Sequence, residues 1–166
     1  MERRPATPQE AKALGHPLRM RILRLCLDEP RTNKQLAERL GKDPGSVLFH
    51  VRRLAATGFL EVGDPVKGPT GAWEKPYRST GKSWRLSLED YTPSHAVSLL
   101  EVIREELMES GPQGVRETIR VGLRLSPGDT KELNERMSAL ADEFAERVDP
   151  EGERLGLFML LHERPD

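Results

Sequence analysis

The chain has 166 residues, of which 36% are hydrophobic and 32% charged, and its net charge is −1. This length and composition predict a soluble protein of one or two compact domains, and one cysteine, Cys26, excludes an intramolecular disulfide and a cysteine metal cluster. The sequence has no apolar run of about 18 residues and no signal-peptide centre in MERRPATPQE, so we expect a cytoplasmic protein with no membrane-spanning helix.

Charge is distributed unevenly along the chain. Residues 1–90 contain 17 Lys and Arg against 11 Asp and Glu, a net charge of +6, whereas residues 91–166 contain 9 against 16, a net charge of −7. A basic region gains affinity for a polyanion by releasing counterions, while an acidic region is repelled. We therefore expect two domains, 1–90 and 91–166, of which only the first meets DNA.

Two helices are predicted before residue 27. Thr7 caps a short helix that ends at Gly15, and His16 begins a second helix with Pro17 at its first position. We interpret His16 as a capping or packing residue. Apolar residues recur at helical spacing along the second helix: Leu18, Ile22, Leu25 and Cys26. We interpret Cys26 as a small buried hydrophobe.

Residues 32–62 predict helix, tight turn, helix and strand, the order that lays a helix into the major groove of DNA. Thr32 is a suitable N-cap for the first helix, which ends at Gly41. Asp43 then caps the second helix, with Pro44 at its first position, and Thr57-Gly58 ends it. The turn between the two helices is therefore only a few residues long.

The second helix of this pair has two distinct faces. Val47, Val51 and Leu54 recur at i, i+4 and i+7 and predict a buried stripe. The polar residues point elsewhere and are available to bases and phosphates: Ser46, His50, Arg52 and Arg53. The strand predicted at residues 59–62 follows directly.

The segment GDPVKGPTGAW, residues 63–73, has three Gly and two Pro and predicts a loop, the candidate wing. Lys67 lies inside it and Lys75 just beyond it, and residues 77–80 are typical of a returning strand, with Trp84 and Leu86 packing beneath the domain. Wings of this kind contact phosphates or the minor groove. The alternative is a surface hairpin whose lysines are incidental.

Four spaced segments in this order, AKALGHPLRMRILRLC, QLAERLG, SVLFHVRRL and GFLEV, resemble the winged helix-turn-helix of the arsenical-resistance-repressor (ArsR) family of bacterial transcriptional regulators. The resemblance covers residues 8 to about 86. It implies a DNA-binding regulator whose helix after the wing pairs with that of a second copy. The chain departs from the family at Leu48 and Phe49, where small polar residues or His are common, so the base preference does not carry over.

A long helix after the wing is predicted from Thr92-Pro93 to about residue 109. Its apolar stripe needs a partner, and a two-fold mate would set two recognition helices about one DNA turn apart. The alternative is that this helix packs only on the C-terminal domain of its own chain. The predicted dimerisation residues are Ala96, Leu99, Leu100, Ile103 and Leu107.

The remaining residues predict strand, helix and strand. Residues 119–125 alternate apolar and polar, a helix follows the cap at Ser126, and residues 155–162 are apolar on both faces, as in a covered strand. The predicted fold class is therefore α+β: a winged helix-turn-helix followed by a small α+β domain for dimerisation or effector binding. Pairing of the two strands within a chain and across a dimer both remain open.

We expect a dimeric regulator, most simply a repressor on a palindromic operator, with double-stranded DNA as its partner and no cofactor. No nucleophile elbow, phosphate loop or HExxH motif indicates an enzyme. There are two alternatives. One is a sensor of a small molecule or metal, for which His95 is the only His on the helix after the wing. The other is a winged helix used for protein contact. The predicted DNA contacts are Thr32, Lys34, Lys42, Ser46, Leu48, Phe49, His50, Arg52, Arg53, Lys67 and Lys75.

Overall fold

A computed structural model describes residues 3–87, 93–147, 149 and 151–165. The chain divides into two units, Glu2–Arg116 and Glu117–Asp166. Thr92, predicted as a helix cap, lies outside the described residues. Within those residues, no helix combines the length and the apolar character needed to cross a membrane.

The first unit begins with a short strand and two capped helices: β1 (Arg4–Pro5), α1 (Pro8–Leu14) and α2 (Pro17–Leu25). Thr7 Oγ1 accepts a hydrogen bond from the backbone N–H of Glu10 at 3.2 Å, and the Glu10 carboxylate accepts one from the N–H of Thr7 at 2.9 Å. His16 Nδ1 accepts from the N–H of Leu18 at 3.2 Å and begins α2. Both predicted caps are confirmed, and each satisfies a helix N–H that has no partner inside its helix.

The region of residues 31–87 contains the helix-turn-helix and the wing. Its elements in chain order are β2 (Arg31–Thr32), α3 (Asn33–Leu40), α4 (Pro44–Ala56), β3 (Leu60–Val62), β4 (Val66–Lys67), β5 (Trp73–Glu74), β6 (Pro76–Ser79), a 3₁₀ turn (Lys82–Arg85) and β7 (Leu86–Ser87). β2, β6 and β3 form an antiparallel sheet in that order, with Glu61 opposite Arg78. β7 pairs with β1 in parallel. The mixed α+β class with an N-terminal winged helix-turn-helix is thus confirmed.

The core of this unit lies between α1 to α4 and the sheet. Ile22, Leu36, Val47, Val51 and Leu54 are fully buried. Phe59 and Leu60 close the core where the chain leaves α4 for β3. The predicted inner face of α4 is therefore confirmed, and the opposite face of the helix remains at the surface.

Cys26 is part of this core. Its side chain is fully buried, and burial raises the pKa of the thiol to about 12. Because the thiolate is the reactive form, we expect the native protein to resist a disulfide reagent such as Ellman's at about pH 8 and to react with one equivalent once unfolded in urea. Equal rates for the native and unfolded protein would mean that Cys26 is accessible.

The long helix after the wing, α5 (Pro93–Ser110), packs on α2. Val102 of α5 is 2% exposed. Ion pairs also attach α5 to the helices before it: Arg21 with Glu105 at 2.8 Å and Glu109 at 2.7 Å, Arg24 with Glu106 at 2.9 Å, and Arg39 with Glu109 at 3.0 Å. α5 therefore belongs with the N-terminal unit, and the alternative that it packs only on the C-terminal residues does not hold.

The second unit contains the helix α6 (Pro127–Ala145), capped by Ser126, whose Oγ accepts from the N–H of Asp129 at 3.1 Å. Within the described part of this unit, neither 119–125 nor 155–162 is a strand, contrary to prediction. Both apolar segments are largely exposed, with Ile119 at 84% and Leu155 at 69%. Alternation in the sequence identifies an extended segment with one apolar side, but a strand also requires a backbone ladder with a neighbour.

Candidate nucleic-acid interface

The turn between α3 and α4 is held from both sides. Gly41 has a φ of 60°, a left-handed conformation that ends α3 without strain on a side chain. The Asp43 carboxylate accepts from the N–H of Ser46 at 2.9 Å and begins α4. The Asn33 amide donates to the backbone oxygen of Pro44 at 2.9 Å and ties the two helices together. α4 is therefore presented to its surroundings in one fixed orientation.

The outward face of α4 carries most of the residues predicted to contact bases. Ser46 and Arg52 are exposed, Leu48 and Arg53 are half-buried, and Phe49 is 61% exposed. A helix with one buried and one exposed face of this kind can enter the major groove of a duplex.

His50 differs from this pattern, because its side chain is only 9% exposed. Its ring stacks against His16 with 4.6 Å between the centroids, and its Nδ1 lies 3.4 Å from the guanidinium of Arg19. Arg19 is held in turn by the backbone oxygens of Ala13 and Lys12. The expectation that His50 faces outward is wrong, since the helical pattern does not reveal the partners that α1 and α2 supply.

Thr32 is also engaged within the protein. Its hydroxyl caps α3 by accepting from the N–H of Gln35 at 3.3 Å, and its own N–H donates to the Gln35 side chain at 2.8 Å. The side chain is buried, so the predicted cap is confirmed. The neighbouring Lys34 is exposed and is the better placed of the two for a phosphate.

The buried His50 and the half-buried His16 predict a pH-dependent stability. Burial lowers the pKa of His50, and the cations of His16, Arg19 and Arg53 lower it further; burial and then Arg19 lower the pKa of His16. Because both folded-state pKa values lie below the unfolded value of about 6.5, the stability is complete above that pH and decreases as the pH falls below it.

We therefore expect the urea midpoint to fall between about pH 8 and pH 5.5. His16→Asn keeps a capping oxygen but removes one titrating ring, and should flatten this dependence. An equally steep fall in the variant would show that His16 does not contribute to it.

The wing is a hairpin rather than the predicted loop. β4 and β5 pair with Lys67 opposite Trp73, and the Lys67 ammonium lies 5.7 Å from the centre of the Trp73 ring. The turn is closed by the N–H of Gly71, which donates to the Gly68 oxygen at 2.9 Å, and Gly71 has a φ of 80°. Lys67 and Lys75 are both exposed, so the hairpin presents two cations.

Between α4 and the wing lies a cleft of about 660 Å³. It brings together four of the predicted DNA contacts, Lys34, Leu48, Arg52 and Lys75. The other predicted contacts lie outside its lining: Thr32, Lys42, Ser46, Phe49, His50, Arg53 and Lys67. The cleft also contains residues that sequence reasoning missed: Asn33, Ala55, Val62, Trp73, Glu74 and Tyr77. For Trp73, which is 68% exposed, an aromatic residue in a Gly- and Pro-rich segment was the available signal.

The basic residues of the first unit fall into two groups. Arg21, Arg24 and Arg39 are neutralised by carboxylates of α5. Within the described residues, Lys34, Arg52 and Lys75 form no ion pair and remain available to an external anion. The arrangement thus concentrates unneutralised positive charge on the side of α4 and the wing.

The predicted dimerisation residues of α5 lie at or near the surface. Leu100 and Leu107 are 41% and 48% exposed, and Ala96, Leu99 and Ile103 are half-buried. The side chain of His95 lies outside the described residues, and among those that are described no three His, Cys, Asp or Glu side chains gather as a metal site would require.

A known protein family matches part of the N-terminal unit. Residues 14–63 match the model of a family described as a helix-turn-helix domain, which confirms the predicted helix-turn-helix. No curated protein matches the chain.

Several solved structures are similar at low identity. The homodimeric winged helix-turn-helix DNA-binding domain of Mb0332 from Mycobacterium bovis, a possible ArsR-family transcriptional regulator, is 19% identical over 65% of this chain and 82% of that chain, with a TM-score of 0.36. A variant of ZitR from Lactococcus lactis is 18% identical over 76% and 73%, with a TM-score of 0.37. The PcaV transcriptional regulator from Streptomyces coelicolor with its natural ligand is 18% identical over 82% and 74%, with a TM-score of 0.33. Scores this low do not establish a common overall arrangement.

Proposed function

We propose that this chain, a transcriptional regulator by its helix-turn-helix domain at residues 14–63, is a cytoplasmic repressor that binds a palindromic operator as a homodimer. The observation that carries the proposal is the exposed, arginine-bearing side of the firmly capped helix α4. α4 enters the major groove, where Ser46, Leu48 and Phe49 meet base edges. A protein bound in this way excludes other proteins from the same DNA.

Phosphate contacts surround this helix in the proposed complex. Lys42 lies at the turn before α4, and Arg52 and Arg53 lie on its second half. Lys34 is in the first turn of α3, where backbone N–H groups also face outward. Lys67 and Lys75 of the wing reach the backbone or the minor groove next to the groove occupied by α4.

The two sides of α5 support dimerisation. One side is held by packing on α2 and by the ion pairs of its carboxylates, while Leu100 and Leu107 remain exposed. Exposed apolar residues in line on a long helix are typical of an interface. A two-fold pair of α5 helices would place two copies of α4 on successive turns of the same face of DNA.

Selection of bound duplexes from a random pool tests this function. We expect the purified protein to enrich a palindrome whose half-sites are centred about 10 bp apart. A pool that remains random, or protein binding that does not weaken as salt is raised, would contradict DNA binding by this surface.

The salt dependence assigns the phosphate contacts individually. Arg53→Gln should weaken binding to all duplexes about equally and reduce the slope of log K against log salt by roughly one unit, because one phosphate contact is lost. Arg39→Gln is the matched control, since Arg39 is an exposed arginine already paired with Glu109. An unchanged slope for Arg53→Gln, or the same reduction for Arg39→Gln, would remove Arg53 from the interface.

A further inference from the structure

We infer that the cleft between α4 and the wing binds a small aromatic carboxylate, and that this ligand competes with DNA. The release of DNA rests on the proposed function, whereas binding of the ligand does not. The size of the cleft suits a small molecule. Pockets for small molecules usually measure about 300–1,000 Å³, and this cleft measures about 660 Å³.

The lining of the cleft fits a flat apolar body. Leu48 and Ala55 contribute from α4, Val62 from β3, Tyr77 from β6 and Trp73 from β5. Tyr77 is buried and fixed by the sheet, while Trp73 stands on the hairpin with most of its ring exposed. Aromatic side chains stack favourably on aromatic ligands, so these residues favour a planar ring over a flexible chain.

The charges of the cleft fit an anion. Lys34, Arg52 and Lys75 line it, against one carboxylate, Glu74. The Glu74 side chain rests on Gly68, where it leaves no room for a Cβ, so its position is tied to the hairpin turn. Because Arg52 offers a planar fork of N–H donors without an ion-pair partner in the described residues, a carboxylate is its natural complement.

Occupation of the cleft would interfere with DNA directly. Lys34, Arg52 and Lys75 are also the phosphate contacts of the proposed complex, and a carboxylate among them neutralises the charge that the DNA backbone requires. A rigid ring between α4 and the hairpin would also block their approach to adjacent grooves. The ligand would therefore act as an inducer without any change in the dimer.

Calorimetric titration of the full chain, without DNA, with 2-naphthoate tests the assignment. We expect saturable binding that weakens about tenfold for the neutral amide of the same ring and about tenfold for Arg52→Gln. Lys75→Gln, a second variant outside the core, should weaken binding in the same direction. Arg53→Gln is the matched control, because Arg53 lies on α4 but outside the lining, and should bind the probe as the parent protein does.

The outcomes separate this assignment from the proposed function. Absence of binding, equal binding of acid and amide, or unchanged affinity in both Arg52→Gln and Lys75→Gln would overturn the cleft as an anion site. Arg52-dependent binding by a protein that binds no duplex would support the site and refute the proposed function. Where both bind, the naphthoate should displace a selected duplex in competition, and a ternary complex would overturn the inducer role.

Discussion

Leu100→Asp combined with Ile103→Asp is expected to convert the proposed dimer into monomers and to lower affinity for a palindromic operator by about a hundredfold to ten-thousandfold. The two residues lie on α5, where Leu100 is 41% exposed and Ile103 half-buried in the single chain. Two charges in an apolar interface would each lose water without gaining a partner. The large effect on DNA arises because a dimer binds its second half-site within the same complex, at a high effective concentration.

The substitutions should spare the fold of each subunit. α5 remains attached to its own chain through its packing on α2 and through the pairs of Arg21, Arg24 and Arg39 with its carboxylates, and these ion pairs involve neither Leu100 nor Ile103. Circular dichroism and thermal unfolding should therefore resemble those of the parent protein at the concentration where it is monomeric.

Sedimentation equilibrium measures the predicted change in mass. Leu100→Met combined with Ile103→Met is the matched control, because it keeps the apolar surface and the approximate volume, and should remain dimeric. An unchanged mass for the aspartate variant would show that α5 is not the interface. Monomers that retain full operator affinity would instead show that dimerisation is not required for binding.

Local signals in the sequence were sufficient for most of the helix-turn-helix. Thr32, Gly41 and Asp43 each act through neighbours within four residues, so their roles as caps could be predicted from residue type and spacing. The buried stripe of α4 follows in the same way from helical periodicity, which Val47, Val51 and Leu54 obey.

Contacts between distant residues could not be predicted in this way. His50 has the spacing of a surface residue but meets His16 and Arg19, which α1 and α2 bring against it. The sequence of α2 likewise does not reveal that Glu105 and Glu109 of α5 neutralise Arg21. Pairing of this kind depends on tertiary geometry, which periodicity along one helix does not encode.

The candidate site also combines features that local sequence predicts with features that depend on contacts between distant residues. The basic residues and the wing were predicted, because charge and Gly or Pro content are local properties. The cleft was not, since its lining comes from α3, α4, β3, β5 and β6. By contrast, alternation at 119–125 and an apolar run at 155–162 predicted strands, and the described residues supply no strand partner for either.

Glu10→Gln is expected to lower the free energy of unfolding by about 2 kcal/mol at neutral pH. The Glu10 carboxylate is buried and accepts hydrogen bonds from Arg4 at 2.6 and 2.9 Å, and the ammonium of Lys82 lies 2.7 Å away. Loss of one partner from a buried ion pair costs about 3–5 kcal/mol, and the half-exposed Arg4 reduces this because water can replace its partner.

Lys82 extends the effect to α4. Its ammonium also donates at 2.6 Å to the backbone oxygen of Thr57, the C-cap residue of α4. Glu10 therefore orients a cation that satisfies the C-terminal end of this helix. A double-mutant cycle of Glu10→Gln with Lys82→Met should reveal coupling, because the second substitution removes a group that the first has already released.

The pH dependence provides an independent measurement. Hydrogen bonds from Arg4, and then from Lys82 and Thr7, hold the pKa of Glu10 well below its usual range despite its burial. A folded pKa below the unfolded value of 4.5 makes the contribution complete above that pH and lost as the pH falls toward the folded value. The difference between parent and variant in urea unfolding should therefore be largest near neutrality and shrink in acid.

Glu132→Gln on α6 is the matched control for this prediction. Its carboxylate makes one exposed ion pair, with Arg136 at 3.6 Å, so its loss should change stability by less than about 0.5 kcal/mol. Equal effects of the two substitutions would mean that the Glu10 carboxylate contributes no more than a surface charge. A Glu10→Gln effect independent of pH would contradict the prediction, because it would mean that ionisation of the Glu10 carboxylate does not cause the loss.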